Sequence, residues 1–398
     1  MHSVACFIYI LHIVCGRSDR LIYIVKQGDS LYEIAKHFGT NVATLASINE
    51  LPDPDVLVVG QALVLPSTPS PERPMIETNL YVEWYTEVPS QNVIHQVEKN
   101  ADQLTYMMPF AYEVKRDGSL LPMNWGSLSE VAKTHQVETV IVLVNIENYA
   151  FSDTLAHTIF TNETVKNNVF AQTVAEAEKR GTKHIHVDFE YIDKADRENY
   201  VTFLKEFKDF AKGYAISATL APKTSADQNG KWYGGFDYKG IGEVADFVVI
   251  MTYEWGYSGG PPMAVSPIGP VRKVLEYAVT EIEPNKIMMG QNLYGYDWTL
   301  PYKQGNPIAK ALSPQQAIQL AKNRNAAIEY DKVAQAPYFH YWLDGKEHEV
   351  WFEDARSIEA KFKLLKELKL LGIAYWHSGF DFPQNWYLLQ EMFRVNKK

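Results

Sequence analysis

One short segment of this 398-residue chain carries four polar side chains in alternate positions, within a stretch that otherwise resembles a buried strand. The four residues are His184, His186, Asp188 and Glu190. Because side chains alternate between the two faces of a strand, all four are predicted to lie on one face. Two carboxylates held close together raise the pKa of one of them, and glycosidases need such a carboxyl as a general acid. The segment therefore predicts acid–base chemistry of the glycosidase kind.

Strand-like apolar runs recur along the C-terminal part of the chain, mostly with room for a helix between them. Eight runs are predicted, at residues 79–85, 104–114, 138–148, 184–192, 215–222, 245–254, 286–295 and 372–380. Buried strands that alternate with helices indicate parallel βα units. Eight such units closing on themselves form an α/β fold, the (β/α)₈ or TIM barrel, whose active sites lie at the C-terminal ends of the strands.

The interval between the seventh and eighth predicted strands is long and contains its own secondary-structure signals. A helical pattern, ALSPQQAIQLAKN, precedes segments that indicate a small antiparallel sheet. We therefore predict a small α+β insertion at about residues 298–355, on the catalytic face, where it would wall a groove. The alternative is an appendage that stabilises the fold without contacting a ligand.

The N-terminal part differs from the rest of the chain, and a proline-rich segment separates the two. Four prolines in residues 66–74 favour extended geometry, so residues 67–76 are predicted to be a short, semi-rigid linker. Before the linker the order of signals is strand, helix, helix, strand. The stretches YIVKQGDSLYEIAKHFGTNVATLASIN and LVVGQALVLP resemble the LysM family. This resemblance implies a small βααβ domain at residues 21–66 that binds glycans containing N-acetylglucosamine.

The LysM resemblance also implies where a glycan would bind, in a groove between the loops at residues 28–31 and 57–61. The residues implied as contacts are Asp29, Ser30, Leu57 and Gly60. Ser30 additionally forms a capping-box pattern with Glu33. The alternative is that these residues only build turns and caps, and for Gly60 we favour that alternative.

The barrel part, residues 77–398, resembles glycoside hydrolase family 18, whose fourth strand carries the pattern D-x-x-D-x-D-x-E. At the four positions this chain has Lys183, His186, Asp188 and Glu190. The resemblance implies that Glu190 is the general acid/base and that Asp188 orients the acetamido group of the substrate. His186 replaces an acid that normally partners Asp188. It is predicted to contact Asp188 or substrate, with a purely structural role as the alternative.

Matches on other strands extend the same resemblance. The sixth strand ends in MTYE, which implies that Tyr253 hydrogen-bonds the acetamido carbonyl and that Glu254 contacts substrate. Trp376, on the eighth strand, is implied as the floor of the subsite for the reacting sugar, where its face would stack on the pyranose. Three further residues are candidates either for lining the groove or for packing: Tyr112, Asn292 and Tyr294.

Together the resemblances imply a hydrolase of peptidoglycan that acts at N-acetylglucosamine, similar to the spore-cortex-lytic N-acetylglucosaminidases of endospore-forming bacteria. In the implied mechanism the acetamido oxygen of the substrate attacks the anomeric carbon, and configuration is retained. The implied location is the spore coat or cortex, or the cell wall. A chitinase and a non-catalytic glycan-binding barrel are the alternatives, although such a lectin would be expected to lack Glu190. The mechanism requires no metal or organic cofactor.

Composition narrows the partners. The formal net charge of −10 argues against nucleic acid, because proteins that bind polyanions usually carry the opposite balance. No apolar run is long enough to predict a membrane-spanning helix. The only cysteines, Cys6 and Cys15, lie within residues 1–20, a segment to which we assign no role. Residues 4–15 have the length of a signal-peptide core but lack a preceding Lys or Arg, so no export signal is predicted.

Overall fold

The computed structural model of the protein describes residues 21–398. The prediction made for residues 1–20, that they hold no export signal, lies outside the described residues. Two units follow one another along the described chain, a small N-terminal domain and a large barrel. Across residues 21–398, no helix combines the length and apolarity needed to cross a membrane.

The N-terminal domain has the predicted βααβ order. Its elements are β1 Ile22–Ile24, α1 Leu31–His37, α2 Val42–Ile48 and β2 Ala62–Val64. The two strands pair antiparallel, and both helices begin at a side-chain cap, since Ser30 and Asn41 accept hydrogen bonds from backbone N–H groups of the first turns. The side-chain oxygen of Asn49, at the end of α2, accepts from Val64 N at 2.7 Å and so ties this helix to β2.

Residues 75–292 form the first six βα units of the barrel and its seventh strand. The strands are β3 Met75–Glu83, β4 Tyr106–Phe110, β5 Tyr112–Glu113, β6 Glu138–Thr139, β7 Ile141–Val144, β8 Ile146–Glu147, β9 Ala150–Phe151, β10 His184–Asp188, β11 Ala215–Leu220, β12 Phe247–Ile250 and β13 Ile287–Asn292. The helices are α3 Gln91–Asn100, α4 Leu128–Thr134, α5 Asp153–Thr161, α6 Glu163–Arg180, α7 Arg197–Phe210, α8 Tyr238–Val244 and α9 Ile268–Glu281. Short 3₁₀ turns occupy Ala101–Gln103, Lys194–Asp196 and Pro284–Lys286.

The predicted insertion follows β13 and begins slightly earlier than expected, at Gly295. Its elements are β14 Gly295–Thr299, β15 Lys310–Leu312, α10 Pro314–Asn323, β16 Glu329–Asp331, β17 Ala336–Leu343 and β18 Lys346–Trp351. The five strands form one antiparallel sheet in the order β15-β14-β18-β17-β16. Apolar side chains of α10, including Ala317 and Ala321, pack on one face of this sheet.

The chain returns to the barrel through α11 Ala355–Leu368, β19 Gly372–Trp376, α12 Pro383–Met392 and β20 Arg394–Val395. Parallel pairing runs from β7 through β10, β11, β12, β13, β19 and β3 to β4. The ring closes because β4 pairs with β6 and β5 with β7, and these are consecutive pieces of the second and third barrel strands. The predicted (β/α)₈ barrel is therefore confirmed.

The barrel has two apolar layers. The inner layer fills the ring with side chains such as Tyr106, Val142 and Met288, and the outer layer packs the strands against the helices. On β10 the apolar residues Ile185 and Val187 belong to the outer layer. Alternation therefore turns the polar residues of this strand toward the inside of the ring.

The N-terminal domain packs directly against the barrel, so the two are joined by side-chain and backbone contacts as well as by the proline-rich segment. Gln384 of α12 donates to Asn49 Oδ1 at 2.9 Å, and Ile328 N donates to Val59 O at 2.8 Å. The segment itself also lies on the barrel, where Arg73 donates to the carbonyl of Gln390 at 2.7 Å. The proline pattern predicted a semi-rigid spacer between the domains. It could not predict these contacts, because they join residues that are far apart in the sequence.

Candidate active site

A cleft of about 860 Å³ opens at the C-terminal ends of the barrel strands, and one wall of it comes from the insertion. Its lining is rich in aromatic rings and carboxylates. Side chains on or just after the barrel strands contribute, together with β14, and they include Tyr81, Asp188, Glu190, Tyr253, Glu254, Trp376 and Tyr296. A volume of this size is typical of sites for small organic ligands, and the mixture of rings and acids suits a sugar.

Asp188 is the last residue of β10 and Glu190 follows two residues later, and both line the cleft. Burial raises the pKa of Asp188, and a hydrogen bond from Thr219 opposes that rise. Burial also raises the pKa of Glu190, and the negative charge of Asp188 raises it further. These two causes favour a protonated Glu190 beside an ionised Asp188, which is the pairing that general acid catalysis on a glycosidic oxygen needs.

Glu190 is held in place by two residues that the sequence analysis did not single out. Trp232 Nε1 donates to Glu190 Oε2 at 2.8 Å. Asn145 brackets the backbone, because it accepts from Glu190 N and donates to Glu190 O, each at 2.9 Å. Asn145 directly follows β7, and Trp232 lies in the loop after β11. Their positions beyond strand C-termini are the only signal that the sequence offers for them.

The two histidines of β10 lie deeper in the barrel, below the cleft, and both are fully enclosed. His186 places Nδ1 2.7 Å from Ser217 Oγ and Nε2 2.8 Å from Thr219 Oγ1. Burial lowers the pKa of both imidazoles, that of His184 to about 3. The prediction that His186 contacts substrate is therefore corrected. Its imidazole is neutral, both of its ring nitrogens are hydrogen-bonded to hydroxyl groups, and it does not line the cleft.

Tyr253 and Glu254 follow β12 and both line the cleft. Glu254 accepts hydrogen bonds from Tyr294 Oη at 2.5 Å and from Tyr296 Oη at 3.0 Å. Burial raises the pKa of Glu254, and these two donors oppose the rise. Tyr294 also lines the cleft, and its hydrogen bond holds Glu254 in position. Burial raises the pKa of Tyr253, so its hydroxyl stays protonated and can donate a hydrogen bond.

Trp376 lies at the end of β19, with its ring partly accessible from the cleft. Edge-to-face contacts hold it, with ring centroids 4.8 Å from Phe110 and 5.5 Å from Tyr81. This packing leaves the indole at the bottom of the cleft in a fixed orientation, as a stacking platform for a sugar requires.

Two predicted groove residues lie elsewhere. Tyr112 is fully buried in the outer layer, where its hydroxyl donates to Glu176 at 2.9 Å. The second barrel strand breaks between β4 and β5, so that side-chain alternation changes phase and turns Tyr112 away from the ring. Asn292 is fully enclosed and donates to Tyr294 O at 2.7 Å. It supports the cleft wall without lining it.

In the N-terminal domain, the four residues predicted to contact glycan have structural partners. Asp29 accepts from Tyr23 Oη at 2.8 Å, and Ser30 caps α1. Gly60 has φ +84°, and a Cβ there would lie 1.8 Å from Ile328 O of the insertion. Leu57 packs partly against the core of this small domain. The loop at residues 57–61 thus contacts the insertion through Ile328 and helix α11 through Arg356.

The described part of the chain brings together no group of three or more His, Cys, Asp or Glu side chains that could hold a metal ion.

The fold and the cleft together define a class: a (β/α)₈ enzyme with an acid pair at the end of its fourth strand and an aromatic floor. The family model "Glycosyl hydrolases family 18" matches residues 78–381, and the LysM domain model matches residues 23–66. The chain belongs to glycoside hydrolase family 18 and carries a LysM domain, which confirms both predicted resemblances.

Relatives similar to this chain extend over nearly its whole length. The cortical fragment-lytic enzyme of Bacillus subtilis (strain 168) is 50% identical, covering 95% of this chain and 99% of that protein. The crystal structure of the Bacillus megaterium QM B1551 spore cortex-lytic enzyme SleL is 45% identical, with a TM-score of 0.92 and the same coverage of the two chains. A chitinase from Chromobacterium violaceum ATCC 12472, at 22% identity and a TM-score of 0.72, shares the fold.

Proposed function

We propose that this protein hydrolyses spore-cortex peptidoglycan at N-acetylglucosamine, by substrate-assisted catalysis that retains the anomeric configuration. The observation that carries the proposal is the buried acid pair Asp188–Glu190 at the open end of β10, with Trp376 below the same cleft. The names of the similar Bacillus enzymes support the cortex as substrate. The LysM domain supports a glycan that contains N-acetylglucosamine.

Glu190 acts as the general acid and then as the general base. Its raised pKa keeps a proton on the carboxyl before cleavage, and the Trp232 Nε1–H bond stabilises the carboxylate after the proton has gone to the departing oxygen. Glu190 then deprotonates the water that opens the intermediate. Asn145 fixes the backbone, and this limits the positions that the carboxyl can take.

Asp188 stabilises the positive charge that develops on the substrate. When the acetamido oxygen attacks the anomeric carbon, the acetamido nitrogen becomes cationic and its N–H becomes a stronger donor. Asp188 Oδ1 is buried and has no hydrogen-bond partner among the described residues, so an acceptor is available there. A buried acceptor of this kind is costly unless substrate fills it, and the cost is recovered when the oxazolinium forms.

Tyr253 and Trp376 hold the sugar for that attack. The hydroxyl of Tyr253 remains protonated and faces the cleft, so it can donate to the acetamido oxygen and keep it in line. Trp376 stacks on the apolar face of the pyranose from below. Holding the reacting atoms in line in this way removes much of the entropic part of the barrier.

The experiment that tests this function compares wild type with Glu190→Gln on spore cortex, vegetative peptidoglycan and colloidal chitin. New reducing ends are labelled with borohydride and identified by mass. We expect reduced N-acetylglucosamine ends from cortex with wild type only. Muramitol ends would make the protein a muramidase, release chiefly from chitin would make it a chitinase, and binding without release would indicate a lectin. Each of these three results would overturn the proposal.

A further inference from the structure

A second cavity, of about 580 Å³, lies on the insertion beside the catalytic cleft. It opens between the antiparallel sheet and α10. Strand β14 forms part of the wall between the two spaces, since Tyr296 lines the cleft and Asp297 lines the second cavity. The two spaces meet at the edge strand β15, where Ala311 lines both. A polymer lying in the cleft therefore has this cavity immediately beyond the cleft wall.

Three side chains form a closed hydrogen-bonded group in this cavity. Asp297 accepts from Tyr341 Oη at 2.6 Å and lies 2.9 Å from His348 Nδ1. The rings of Tyr341 and His348 stack, with centroids 4.6 Å apart. Asp297 is thus already provided with donors and is mostly buried, so it offers little negative charge to a cationic ligand.

Positive charge in and around the cavity is not neutralised in this way. Lys310 and Arg324 line the cavity, and Lys303 and Lys346 line an adjoining depression that shares Asp297 with it. All four are exposed, and none is within ion-pair distance of a carboxylate among residues 21–398. In a chain with a net charge of −10, four unpaired cations in one place indicate a site for an anion.

The rest of the lining suits a peptide. Three carboxamides of α10 line the cavity, those of Gln316, Gln319 and Asn323. Gln316 Oε1 accepts from Ser313 N in the helix cap and Gln319 Nε2 donates to Asn323 Oδ1, so Gln316 Nε2, Gln319 Oε1 and Asn323 Nδ2 are the groups left for a ligand. A carboxamide both donates and accepts, so it matches the N–H and C=O groups of an amide backbone. Apolar side chains such as Leu320 and Leu343 line the remaining surface and suit short aliphatic side chains.

We infer that this cavity binds the carboxylate-bearing peptide stem of the peptidoglycan strand whose sugars occupy the cleft. The inference rests on the proposed function. In peptidoglycan, muramic acids alternate with N-acetylglucosamine, and a peptide stem hangs from the lactyl group of those muramic acids that carry one. A strand in the cleft can therefore bring a stem to the cleft wall. Arg324 and Lys310 pair with the stem carboxylates, and the carboxamides of α10 bond its amides. Chitin carries no such substituent, so the cavity selects peptidoglycan over chitin.

The test measures binding by calorimetry in a Glu190→Gln background, which prevents turnover. The probes are a peptidoglycan tetrasaccharide with tetrapeptide stems and the same tetrasaccharide after the stems have been removed. We expect the stem-bearing probe to bind about tenfold tighter or better, because two charged hydrogen bonds are added. Lys310→Gln/Arg324→Gln should abolish this preference, whereas Lys273→Gln/Lys332→Gln, with the same charge change on exposed sites elsewhere, should retain it.

Salt provides a second readout, since the preference should shrink between about 0.05 M and 0.5 M NaCl if it is electrostatic. Equal binding of the two probes to the background protein would overturn the inference, and so would loss of preference in the control. A thermal melt checks that each variant is folded, and Lys310→Glu alone is the second variant, expected to weaken only the stem-bearing probe. These binding results stand even if wild type cleaves no peptidoglycan, so failure of the proposed function is distinguishable.

Discussion

The polar side chains along β10 and just beyond it alternate regularly, but those at the two ends have different surroundings. At the lower end, His184 and His186 are enclosed, neutral and surrounded by hydroxyls. At the upper end, Asp188 keeps an unpartnered oxygen and Glu190 opens into the cleft. Depth in the barrel therefore decides the role of each polar group. Deep in the barrel the polar groups hydrogen-bond to one another and stabilise the fold, whereas near the cleft a hydrogen-bond acceptor remains available for substrate.

The largest effect is expected at the upper end. Glu190→Gln removes the transferable proton but keeps the shape, so kcat on cortex fragments should fall by at least about 10²–10⁴-fold. The measurement is the initial rate of reducing-end release. Glu178→Gln, on the exposed face of α6, serves as the matched control and should keep wild-type rates. An active Glu190→Gln would place the acid elsewhere.

The same substitution should stabilise the fold. Because the folded state raises the pKa of Glu190, the stability that this carboxyl contributes is present at low pH and is lost as pH rises through the folded-state pKa. Above that pH, Glu190→Gln should raise the melting temperature by about 2–4 °C, and at acid pH it should change little. Melting curves at both pH values test the sign, and an equal shift at both would contradict it.

At the lower end the expectation is reversed. His186→Ala removes one hydrogen-bond partner from each of the hydroxyls of Tyr81, Ser217 and Thr219 and leaves a cavity in a closed space. The free energy of unfolding should therefore fall by about 2–4 kcal/mol. Urea denaturation measures this loss. The decrease in kcat of the folded enzyme should be much smaller than for Glu190→Gln, and a comparable decrease would show that the two ends of the strand are not separable.

A smaller effect is expected from the residue that tunes Glu190. The Trp232 Nε1–H bond favours the carboxylate form and so lowers the pKa of Glu190. Trp232→Phe removes the donor, so the pKa rises and the alkaline limb of the rate profile moves to higher pH by up to about one unit. Tyr233→Phe, one residue away, should leave the position of that limb unchanged. A shift toward lower pH would contradict the assignment.

The smallest effect concerns a residue that the structure removes from the cleft. Tyr112→Phe deletes the hydrogen bond to Glu176, so it should cost about 1 kcal/mol of stability and leave kcat/KM on cortex unchanged. Chemical denaturation and steady-state kinetics measure the two quantities. A raised KM would return Tyr112 to the list of substrate contacts.

The sequence predicted the fold well because its signals are local. Each barrel strand is a short apolar run, and the alternation on β10 placed Asp188 and Glu190 on the correct face. The same rule failed for Tyr112, because the break between β4 and β5 changes the phase of the alternation, which no composition rule reveals. It also gave no depth, so His186 was predicted to contact substrate although it lies below the cleft.

Other features could not be predicted from the sequence because they depend on contacts between residues that are far apart in the chain. Trp232 meets Glu190 only after a loop folds back over the strand ends. The LysM domain meets the barrel through pairs such as Asn49 with Gln384 and Gly60 with Ile328, each separated by more than half the chain. Periodicity and capping patterns carry no information about such pairs, which is why the sequence predicted a semi-rigid linker but no contact between the two domains.

The docking of the LysM domain has a consequence for how the protein works along a polymer. A module on a loose tether lets its enzyme sweep a volume and cut many bonds around one anchor point. Here Gln384, Ile328 and Arg356 of the barrel and its insertion each hydrogen-bond to the LysM domain, so the domain is docked on the barrel. A glycan site on the module would therefore lie at a constant distance from the catalytic cleft, so the spacing between the point of attachment and the point of cleavage would be set by the protein.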